Sequence, residues 1–347
     1  MTSAFTSSGL LGQMFHDHAV TEAFAQRGVL RNMLAFERAW SEGLSQLGVV
    51  TPEDGRAAVA VIEGFSADFT ALAAGSERDG LPVPELIRQL RADQPKGVQG
   101  AIHTGATSQD VLDSAMMLTC RALVQDFADR VTACLSQIEE LEAQFGSVQM
   151  MGRTRMQAAL PIAVSDRLRS WRTPLQGGLQ KLGALEFMVQ VGGPVGRRDA
   201  QGDAMASHVA QALELDSGAV WHSDRRTVLD IGHSLMLLCG ALGKMGADIA
   251  LMAQQGVDEI ALSGAGGSSA MAHKRNPVRA EALQTLARYV AGQQGILGQS
   301  LVHEQERSGA AWALEWMVLP AMFDATGAAL TQAHALLAQI TRIGPAD

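Results

Sequence analysis

Three long stretches of the chain repeat apolar residues at steps of three and four, which is the period of an α-helix. The first stretch runs from Leu112 to Phe145 without a proline or a glycine. It predicts one helix of about 34 residues, roughly 50 Å long at 1.5 Å per residue. Thr107, Ser108 and Asp110 stand just before it and are candidate N-caps.

The second stretch, from Val228 to Met252, keeps a heptad rhythm, and the third follows Pro277 and continues to about Leu301. Helices this long are unstable alone, and a heptad seam predicts bundle packing at crossing angles of roughly 20°. The apolar faces are broad enough to cover a second neighbour. We therefore expect an all-α, long-helix bundle that assembles as a homo-oligomer.

The ends of the chain have different patterns. Residues 1–105 contain shorter helical patterns and more turns, so they predict an N-terminal helical domain. Residues 106–347 form the predicted central long-helix bundle domain. The apolar segment from Leu319 to Ile340 predicts one further helix or a helix pair.

Composition narrows the functional classes. The 347 residues carry a formal charge of −9, which argues against a nucleic-acid partner or an anionic membrane surface. A local basic pocket for a small anion stays open. The three cysteines lie in apolar stretches without metal-ligand spacing and predict reduced core thiols. No secretory signal and no run approaching about 18 apolar residues is evident, so we expect a cytoplasmic protein without a membrane span.

The segment GAGGSSAMAHKRNPVRAE, residues 264–281, combines a glycine-rich loop with positive charge. It lacks the GxxxxGK[ST] spacing and a preceding strand pattern, so it does not predict a nucleotide-binding P-loop. Two interpretations remain. It is either a solvated basic linker, or a mobile lid that brings Ser268, Ser269 and Lys274 to an anionic substrate.

A second polar segment, GAIHTGATSQD at residues 100–110, precedes the first long helix. His103, Thr107 and Ser108 are its candidate functional side chains. The segment is either an ordinary capping loop or an anion-binding site that uses hydroxyl groups and the helix N-terminus.

A third segment, MMGRTRMQAALPIA at residues 150–163, places Arg153, Arg155 and Gln157 at alternate positions. Arginines in an apolar segment are costly unless they are paired. Their partner is either an acid elsewhere in the protein or a carboxylate ligand.

Two later segments hold weaker candidates. His222, in WHSDRR at residues 221–226, is either an acid/base group or a packing and capping residue. Arg307, in HEQERSGAAWALEW at residues 303–316, is a candidate substrate ligand, although that segment also suits bundle packing and ion pairing.

Three of these segments together resemble the signature regions of the fumarase/aspartase superfamily. GSSAMAHKRNP (267–277) is similar to its GSSxMPxKxNP motif, and TSQDVLD (107–113) and GRTRMQAALP (152–161) are similar to the other two regions. The resemblance runs from about Phe15 to Trp316. It implies a homotetramer with a shared 20-helix core, in which each active site draws the three regions from three subunits. It also implies chemistry β to a carboxylate, through a carbanion held as an aci-carboxylate, with no metal and no organic cofactor.

The resemblance also assigns roles to residues. It makes Ser268 the catalytic base or proton donor and gives Lys274 and Asn276 a substrate carboxylate to bind. The remaining candidates are residues that we expect to act on or bind a substrate with several carboxylates. His103 and His222 assist proton transfer, and the further substrate ligands are Thr107, Ser108, Arg153, Arg155, Gln157, Ser269 and Arg307.

One position distinguishes the branches of this superfamily. The adenylosuccinate and argininosuccinate lyases carry a histidine in GRTHxQ, where this chain has Arg155. The sequence resembles most the branch that lactonises 3-carboxy-cis,cis-muconate to 4-carboxymuconolactone in protocatechuate breakdown, the β-ketoadipate pathway. That substrate carries three carboxylates, and one of them is the nucleophile, so an arginine in place of the histidine is physically reasonable.

Two other interpretations stay open, a fumarate-releasing lyase and an inactive helical oligomer. The retained Ser268, Lys274 and Asn276 argue against the inactive oligomer. Two features depart from the superfamily pattern. Ala272 stands where the motif has proline, and the chain ends near residue 347. We therefore expect the C-terminal helical domain that many members have to be absent.

Overall fold

The computed structural model describes residues 9–264, 266–267, 270–271 and 274–345, and most of them are helical. The α-helices of the described residues are α1 (His18–Phe24), α2 (Gln26–Gln46), α3 (Pro52–Glu63), α4 (Phe69–Asp79), α5 (Val83–Arg91), α6 (Lys96–Gly100), α7 (Ser108–Phe145), α8 (Val164–Gly183), α9 (Ala200–Leu213), α10 (Arg226–Met252), α11 (Val278–Leu297) and α12 (Gly309–Leu337). Short 3₁₀ turns at Gly193–Val195 and Gly298–Leu301 complete the helical part. The predicted long-helix fold is confirmed.

Within the described part of the chain, four short strands accompany the helices and pair in two antiparallel ladders. Strand β1 (Gln149–Thr154) pairs with β2 (Gln157–Ala163), and β3 (Ile260–Leu262) pairs with β4 (Ile340–Ile343). The sequence pattern did not predict them. The last apolar segment also differs from the prediction, because its helix begins at Gly309, ends at Leu337 and is followed by a strand.

Helix α7 sets the length of the molecule. It has 38 residues and begins at Ser108, four residues before the first apolar position of its pattern, because a polar first turn continues the helix. At 1.5 Å per residue it is about 57 Å long. Groups at its two ends are therefore far apart in one chain.

Helices α10 and α11 pack against each other at close range, and α10 also contacts α8 and α12. A Cβ on Gly243 would lie 2.5 Å from the Cβ of Ala287, and one on Gly246 would lie 2.6 Å from the carbonyl oxygen of Ala280. Because real Cβ atoms do not approach so closely, glycine is required where the two backbones cross.

Helix α10 is long and apolar enough to cross a membrane by length and composition alone. The expectation concerned an uninterrupted apolar run, and Asp230, Lys244 and Asp248 interrupt the apolar residues of this helix. The observation is weak evidence for a span, since core helices of globular proteins share this composition and 56% of its most apolar window is buried inside the fold.

The three cysteines, Cys120, Cys134 and Cys239, are free thiols in the buried core, as predicted. Burial raises the pKa of the Cys134 thiol to about 11 and that of Cys239 to about 12. Both therefore stay protonated at neutral pH and behave as small apolar groups. The division of the chain at residue 105 stays a prediction.

Candidate functional site

A buried carboxylate organises the N-terminal end of α7. Asp110 is fully buried and accepts hydrogen bonds from the backbone N–H groups of Thr107 at 3.0 Å, Gly192 at 2.8 Å and Gly193 at 3.1 Å. The Nε2 atom of His222 lies 3.2 Å from the Oδ1 atom of Asp110. Asp110 thus ties the start of α7 to two distant segments of the chain, and these donors offset the cost of burying it.

His222 lies behind this carboxylate, not on an open surface. Its side chain is only 3% exposed, and a Cβ on Gly192 would come within 2.8 Å of its Nε2 atom. Its Nδ1 atom has no hydrogen-bond partner among the described residues. This geometry fits the packing interpretation better than the acid/base one, and the catalytic role of His222 stays a prediction.

Arg307 joins the same end of the bundle. Its Nε donates to the side-chain oxygen of Gln109 at 2.8 Å, and its Nη2 donates to the hydroxyl of Thr107 at 2.9 Å. The guanidinium therefore lies beside the first turn of α7, which begins at Ser108 and is capped by Thr107 and Asp110. A helix N-terminus and an adjacent cation favour an anionic ligand.

A second buried charge cluster lies one turn further along α7, where Arg225 contacts Asp113. The arginine contacts Asp113 through Nη1 at 2.8 Å and Glu315 through Nη2 at 2.6 Å, and Trp312 donates to Asp113 at 2.9 Å. Burial alone would raise the pKa of Asp113, but the Arg225 charge and these hydrogen bonds outweigh it and hold that pKa below its usual value. The same partners raise the pKa of Arg225 despite its burial, so the cluster stays charged.

His103 is placed four residues before Thr107 and is held by a residue from another element. Its Nδ1 atom lies 2.6 Å from Oε1 of Glu37, which is on α2 and fully buried. The backbone of His103 is in the left-handed region, with φ of 59°. The structure thus brings His103, Thr107, Ser108 and Arg307 to one end of the molecule.

The arginine-rich segment forms a β-hairpin past the other end of α7. Arg155 and Met156 make the two-residue turn between β1 and β2, with φ of 49° and 66°. Arg155 and Gln157 are exposed at or next to this tip. Arg153 instead pairs with Glu259 at 3.0 Å, so the structure shows the protein acid that was one of the two expected partners.

The glycine-rich loop begins and ends at a narrow neck. The backbones of Gly266 and Asn276 exchange two hydrogen bonds of 2.9 and 2.8 Å, and a Cβ on Gly266 would lie 2.5 Å from Val278. The side chain of Lys274, within this loop, is exposed. Ser268, Ser269 and Ala272 lie outside the described residues.

The hairpin and the loop share the same end of the bundle. The Arg153–Glu259 ion pair joins β1 to the residue before β3, and Ser263 follows β3 just before the loop and donates its N–H to the carbonyl of Gln339. Arg155, Gln157, Lys274 and Asn276 therefore belong to this end. The other candidate residues lie around the start of α7, at the opposite end and about 57 Å of helix away. They are His103, Thr107, Ser108 and Arg307. One chain alone does not bring the three signature regions together.

The described residues contain no group of three or more histidine, cysteine, aspartate or glutamate side chains arranged to hold a metal ion. Asp110, the buried acid at the start of α7, already accepts hydrogen bonds from donors of the protein. The ligand groups that remain at the two ends are cations, hydroxyls, amides and backbone N–H groups, which suit carboxylates.

Comparison with known proteins places the chain in a family. A family model described as Lyase matches residues 14–292, so the chain belongs to this lyase family, the fumarase/aspartase superfamily. The resemblance seen in the three signature regions is thereby confirmed.

Individual relatives narrow the class. The chain is 34% identical over 340 residues to a 3-carboxy-cis,cis-muconate cycloisomerase of Acinetobacter baylyi, covering 93% of this chain and 75% of the relative. It is 31% identical over 366 residues to a nitrosuccinate lyase of Streptomyces davaonensis, covering 98% and 76%. The crystal structure of β-carboxy-cis,cis-muconate cycloisomerase from Acinetobacter calcoaceticus superposes with a TM-score of 0.87 at 30% identity, covering 96% and 78%.

Sequence reasoning missed several residues that shape the site. Glu37, Asp113, Gln190 and Arg225 received no role, although each is a polar residue buried within the fold. A signal existed for Glu37 and Asp113, because each falls on the apolar face of a predicted helix. Glu37 and His103 are 66 positions apart and Asp113 and Arg225 are 112 positions apart, so these pairs themselves were not predictable.

Proposed function

We propose that this protein is a cycloisomerase that closes 3-carboxy-cis,cis-muconate to 4-carboxymuconolactone. The observation that carries the proposal is Arg155 at the exposed tip of the hairpin, where fumarate-releasing lyases of the superfamily carry a histidine. An arginine cannot act as the acid that a leaving amine needs, but it can bind a carboxylate at two points. The cycloisomerase names of the relatives in Acinetobacter agree with this interpretation.

The charge pattern of the two ends fits a substrate with three carboxylates. Arg307 and the N-terminus of α7 supply positive charge at one end, and Arg155 and Lys274 supply it at the other. The protein as a whole carries −9, so these cations are local features and not part of a generally basic surface.

The reaction is an isomerisation, so every atom of the substrate is kept. An oxygen of one substrate carboxylate attacks a carbon of the conjugated double bond, and the new C–O bond closes the lactone. The alkene electron pair moves to the carbon beside a second carboxyl group, where it is held as an aci-carboxylate. That carbon then takes up a proton from the hydroxyl of Ser268, and the serine regains a proton from water, so the lactone carries one negative charge fewer than the substrate.

The developing negative charge needs preorganised donors. Lys274, Asn276 and the hydroxyls of Thr107 and Ser108 supply them, because cations and helix N-termini stabilise charge that forms in the transition state. Arg155 and Arg307 hold the other carboxylates. Gln157 and Ser269 complete the set of ligands, whereas Arg153 acts through its ion pair with Glu259.

The assembly we propose is a homotetramer whose sites are shared between subunits. The separation of the signature regions along α7 supports it, because only another copy can supply the missing half of a site. Exposed apolar side chains on the long helices and the hairpin support it as well, and they are Leu237, Leu251, Tyr289, Ile296, Met156 and Leu160.

The remaining parts of the proposal concern location and partners. A cytoplasmic location is supported by the three buried free thiols. The chemistry requires neither metal nor organic cofactor, because the substrate provides its own nucleophile. The acidic net charge argues against a nucleic-acid partner.

A second candidate function is a lyase that releases an unsaturated dicarboxylate from a substituted succinate. The similarity to a nitrosuccinate lyase favours it. A direct test offers the purified protein 3-carboxymuconate, nitrosuccinate, adenylosuccinate and argininosuccinate in parallel. Loss of the diene ultraviolet absorbance without fumarate release supports the cycloisomerase. Fumarate from any of the succinates, with the diene untouched, supports the lyase, and no turnover at all supports an inactive oligomer.

A further inference from the structure

Three successive residues before α7 are each held by a side chain of the N-terminal helices. The contacts join Arg91 Nη2 to the carbonyl of Ile102 at 2.6 Å, Glu37 Oε1 to Nδ1 of His103 at 2.6 Å, and Trp40 Nε1 to the carbonyl of Thr104 at 2.9 Å. Side chains of helices α2 and α5 thus bind the loop that carries His103 and fix its position. The N-terminal helices therefore support the end of the bundle where α7 begins.

Glu37 is an unusual residue for the place it occupies. It is fully buried on α2, beside the core residues Met33, Phe36 and Trp40. Its Oε1 contacts His103, and its Oε2 has no hydrogen-bond partner among the described residues. Burying a carboxylate is costly, and packing alone would be served better by an apolar side chain of that size. The contact with His103 is the interaction that explains the acid.

His103 is held in a conformation that other residues avoid. Its φ of 59° lies in the left-handed region, which is unfavourable for a residue with a Cβ. Its side chain is 15% exposed, whereas that of Glu37 is not exposed at all. The imidazole is therefore accessible at the site while the carboxylate behind it is sealed from water.

The pair also constrains the proton on the ring. If Glu37 is ionised, its oxygens can only accept a hydrogen bond, and the contact with His103 then requires a hydrogen on Nδ1. The neutral ring then has its lone pair on Nε2, for which no partner is found among the described residues. In the charged ring both nitrogens donate, and Glu37 provides the counter-charge.

We propose that Glu37 is a positioning residue that fixes the orientation and the Nδ1–H tautomer of His103, so that Nε2 faces the substrate at the start of α7. In this arrangement Nε2 of the neutral ring accepts a hydrogen bond or a proton, and Nε2–H of the charged ring donates a hydrogen bond to a substrate carboxylate while Glu37 supplies the counter-charge. The inference rests on the proposed function. It adds that the N-terminal helices contribute to the site through a buried acid outside the three signature regions.

Two substitutions separate the roles of charge and hydrogen bond. Glu37→Gln removes the charge but keeps an oxygen acceptor, and Glu37→Met removes both at similar volume. Solid-state ¹⁵N spectra of histidine-labelled protein report which ring nitrogen carries hydrogen, and His103→Gln identifies the signal. We expect Nδ1–H in the wild type and in Glu37→Gln, and loss of that preference in Glu37→Met.

Turnover of 3-carboxymuconate gives the second readout. We expect kcat/KM to fall about 10- to 100-fold in Glu37→Met and less in Glu37→Gln, because losing the positioning of a group costs less than the roughly 100- to 10,000-fold that a positioned acid or base itself contributes. Glu42→Gln is the matched control, since Glu42 lies on the same helix and pairs with Arg38 at 2.6 Å. It should leave both the His103 spectrum and the rate unchanged.

The possible results test the role of Glu37 separately from the proposed activity on 3-carboxymuconate. A wild-type ring with hydrogen on Nε2 alone overturns the inference, as does wild-type kcat/KM in a folded Glu37→Met protein. If Glu37→Met does not fold, the wild-type spectrum and the rate of Glu37→Gln decide. A protein that turns over no muconate refutes the proposed function, while the spectra still test the contact.

Discussion

Arg225 and Asp113 form a two-point ion pair inside the bundle, with Nη1 to Oδ2 at 2.8 Å and Nη2 to Oδ1 at 3.0 Å, although they stand 112 positions apart. Asp113 lies in the second turn of α7, and Arg225 is the N-cap residue of α10. The pair therefore fixes the starts of α7 and α10 relative to each other. The candidate site at that end depends on this alignment.

Arg225→Met should destabilise the protein strongly. It leaves Asp113 and Glu315 buried without their counter-charge, and breaking a buried pair on one side costs about 3–5 kcal/mol. Urea denaturation followed by circular dichroism measures the change in the free energy of unfolding.

The neighbouring Arg226 provides a matched control. Its side chain is 81% exposed and pairs with Asp224 in solvent. Arg226→Met should leave the urea midpoint close to that of the wild type, because exposed ion pairs contribute little. Equal midpoints for the two variants would show that the buried cluster does not stabilise this fold.

The ion pair of Asp17 with Arg130 should make the free energy of unfolding depend on pH in the acidic range. Burial alone would raise the pKa of Asp17, but the hydrogen bond from Arg130 at 2.6 Å, the N–H of Val20 and the Arg130 charge outweigh it and lower that pKa below 3.8. A lowered folded-state pKa contributes stability above the unfolded value, and this stability is lost as pH falls through the folded value.

Asp17→Asn should therefore be less stable than the wild type by about 1–3 kcal/mol at pH 7, because a hydrogen bond to a charged group is lost. The difference should shrink as pH falls below about 4, where the unfolded carboxylate takes up its proton first, and it should vanish below the lowered folded-state pKa. Urea midpoints measured for both proteins between pH 7 and pH 3 test this. A difference that stays constant over that range would rule out the linkage.

The long helices were predictable because their signal is local and repeated. The heptad pattern of α10 gave Val228 to Met252, and the structure has Arg226–Met252. The hairpin was not predicted, although Arg153, Arg155 and Gln157 alternate as strand residues do. Its stability depends on a two-residue turn with positive φ at Arg155 and Met156, and neither residue type indicates such a turn.

The candidate site was only partly predictable. Motif residues such as Thr107 and Arg307 could be named, but the sequence did not show that Arg307 donates to the Thr107 hydroxyl from 200 positions away. The partner of His103 was also hidden. A glutamate on the apolar face of α2 was a signal of a buried acid, yet nothing local indicates which group it holds.

Arg155→His should lower kcat/KM for 3-carboxymuconate by about 10- to 100-fold, because a two-point, charge-assisted carboxylate contact is replaced by a weaker one. The fold should be unaffected, since the residue lies at an exposed hairpin tip. Steady-state kinetics and thermal melting measure the two effects.

Arg169→His is the control for this substitution, because Arg169 is 59% exposed on α8 and pairs with Asp166. It should keep the wild-type kinetics. If Arg155→His and Arg169→His behave alike in the assay, Arg155 does not bind the substrate.

Ser268→Ala should reduce lactonisation by at least about 100-fold, the lower end of what a positioned proton donor contributes. Ser263→Ala is its control, because the Ser263 hydroxyl donates to the Gln339 carbonyl just before the loop. A folded Ser268→Ala protein with the rate of Ser263→Ala would remove the serine from the mechanism.

We propose that lactonisation needs both ends of the bundle, contributed by different copies of the chain. The direct test uses Arg307→Met at one end and Lys274→Met at the other, each expected to be nearly inactive alone. The two chains are co-expressed with different tags, and the hybrid oligomers are assayed with 3-carboxymuconate. Random assembly should leave roughly a quarter of the sites with both native residues, and so restore about that share of wild-type activity. Activity no higher than that of the separate variants would show that different copies do not combine their two ends in one site.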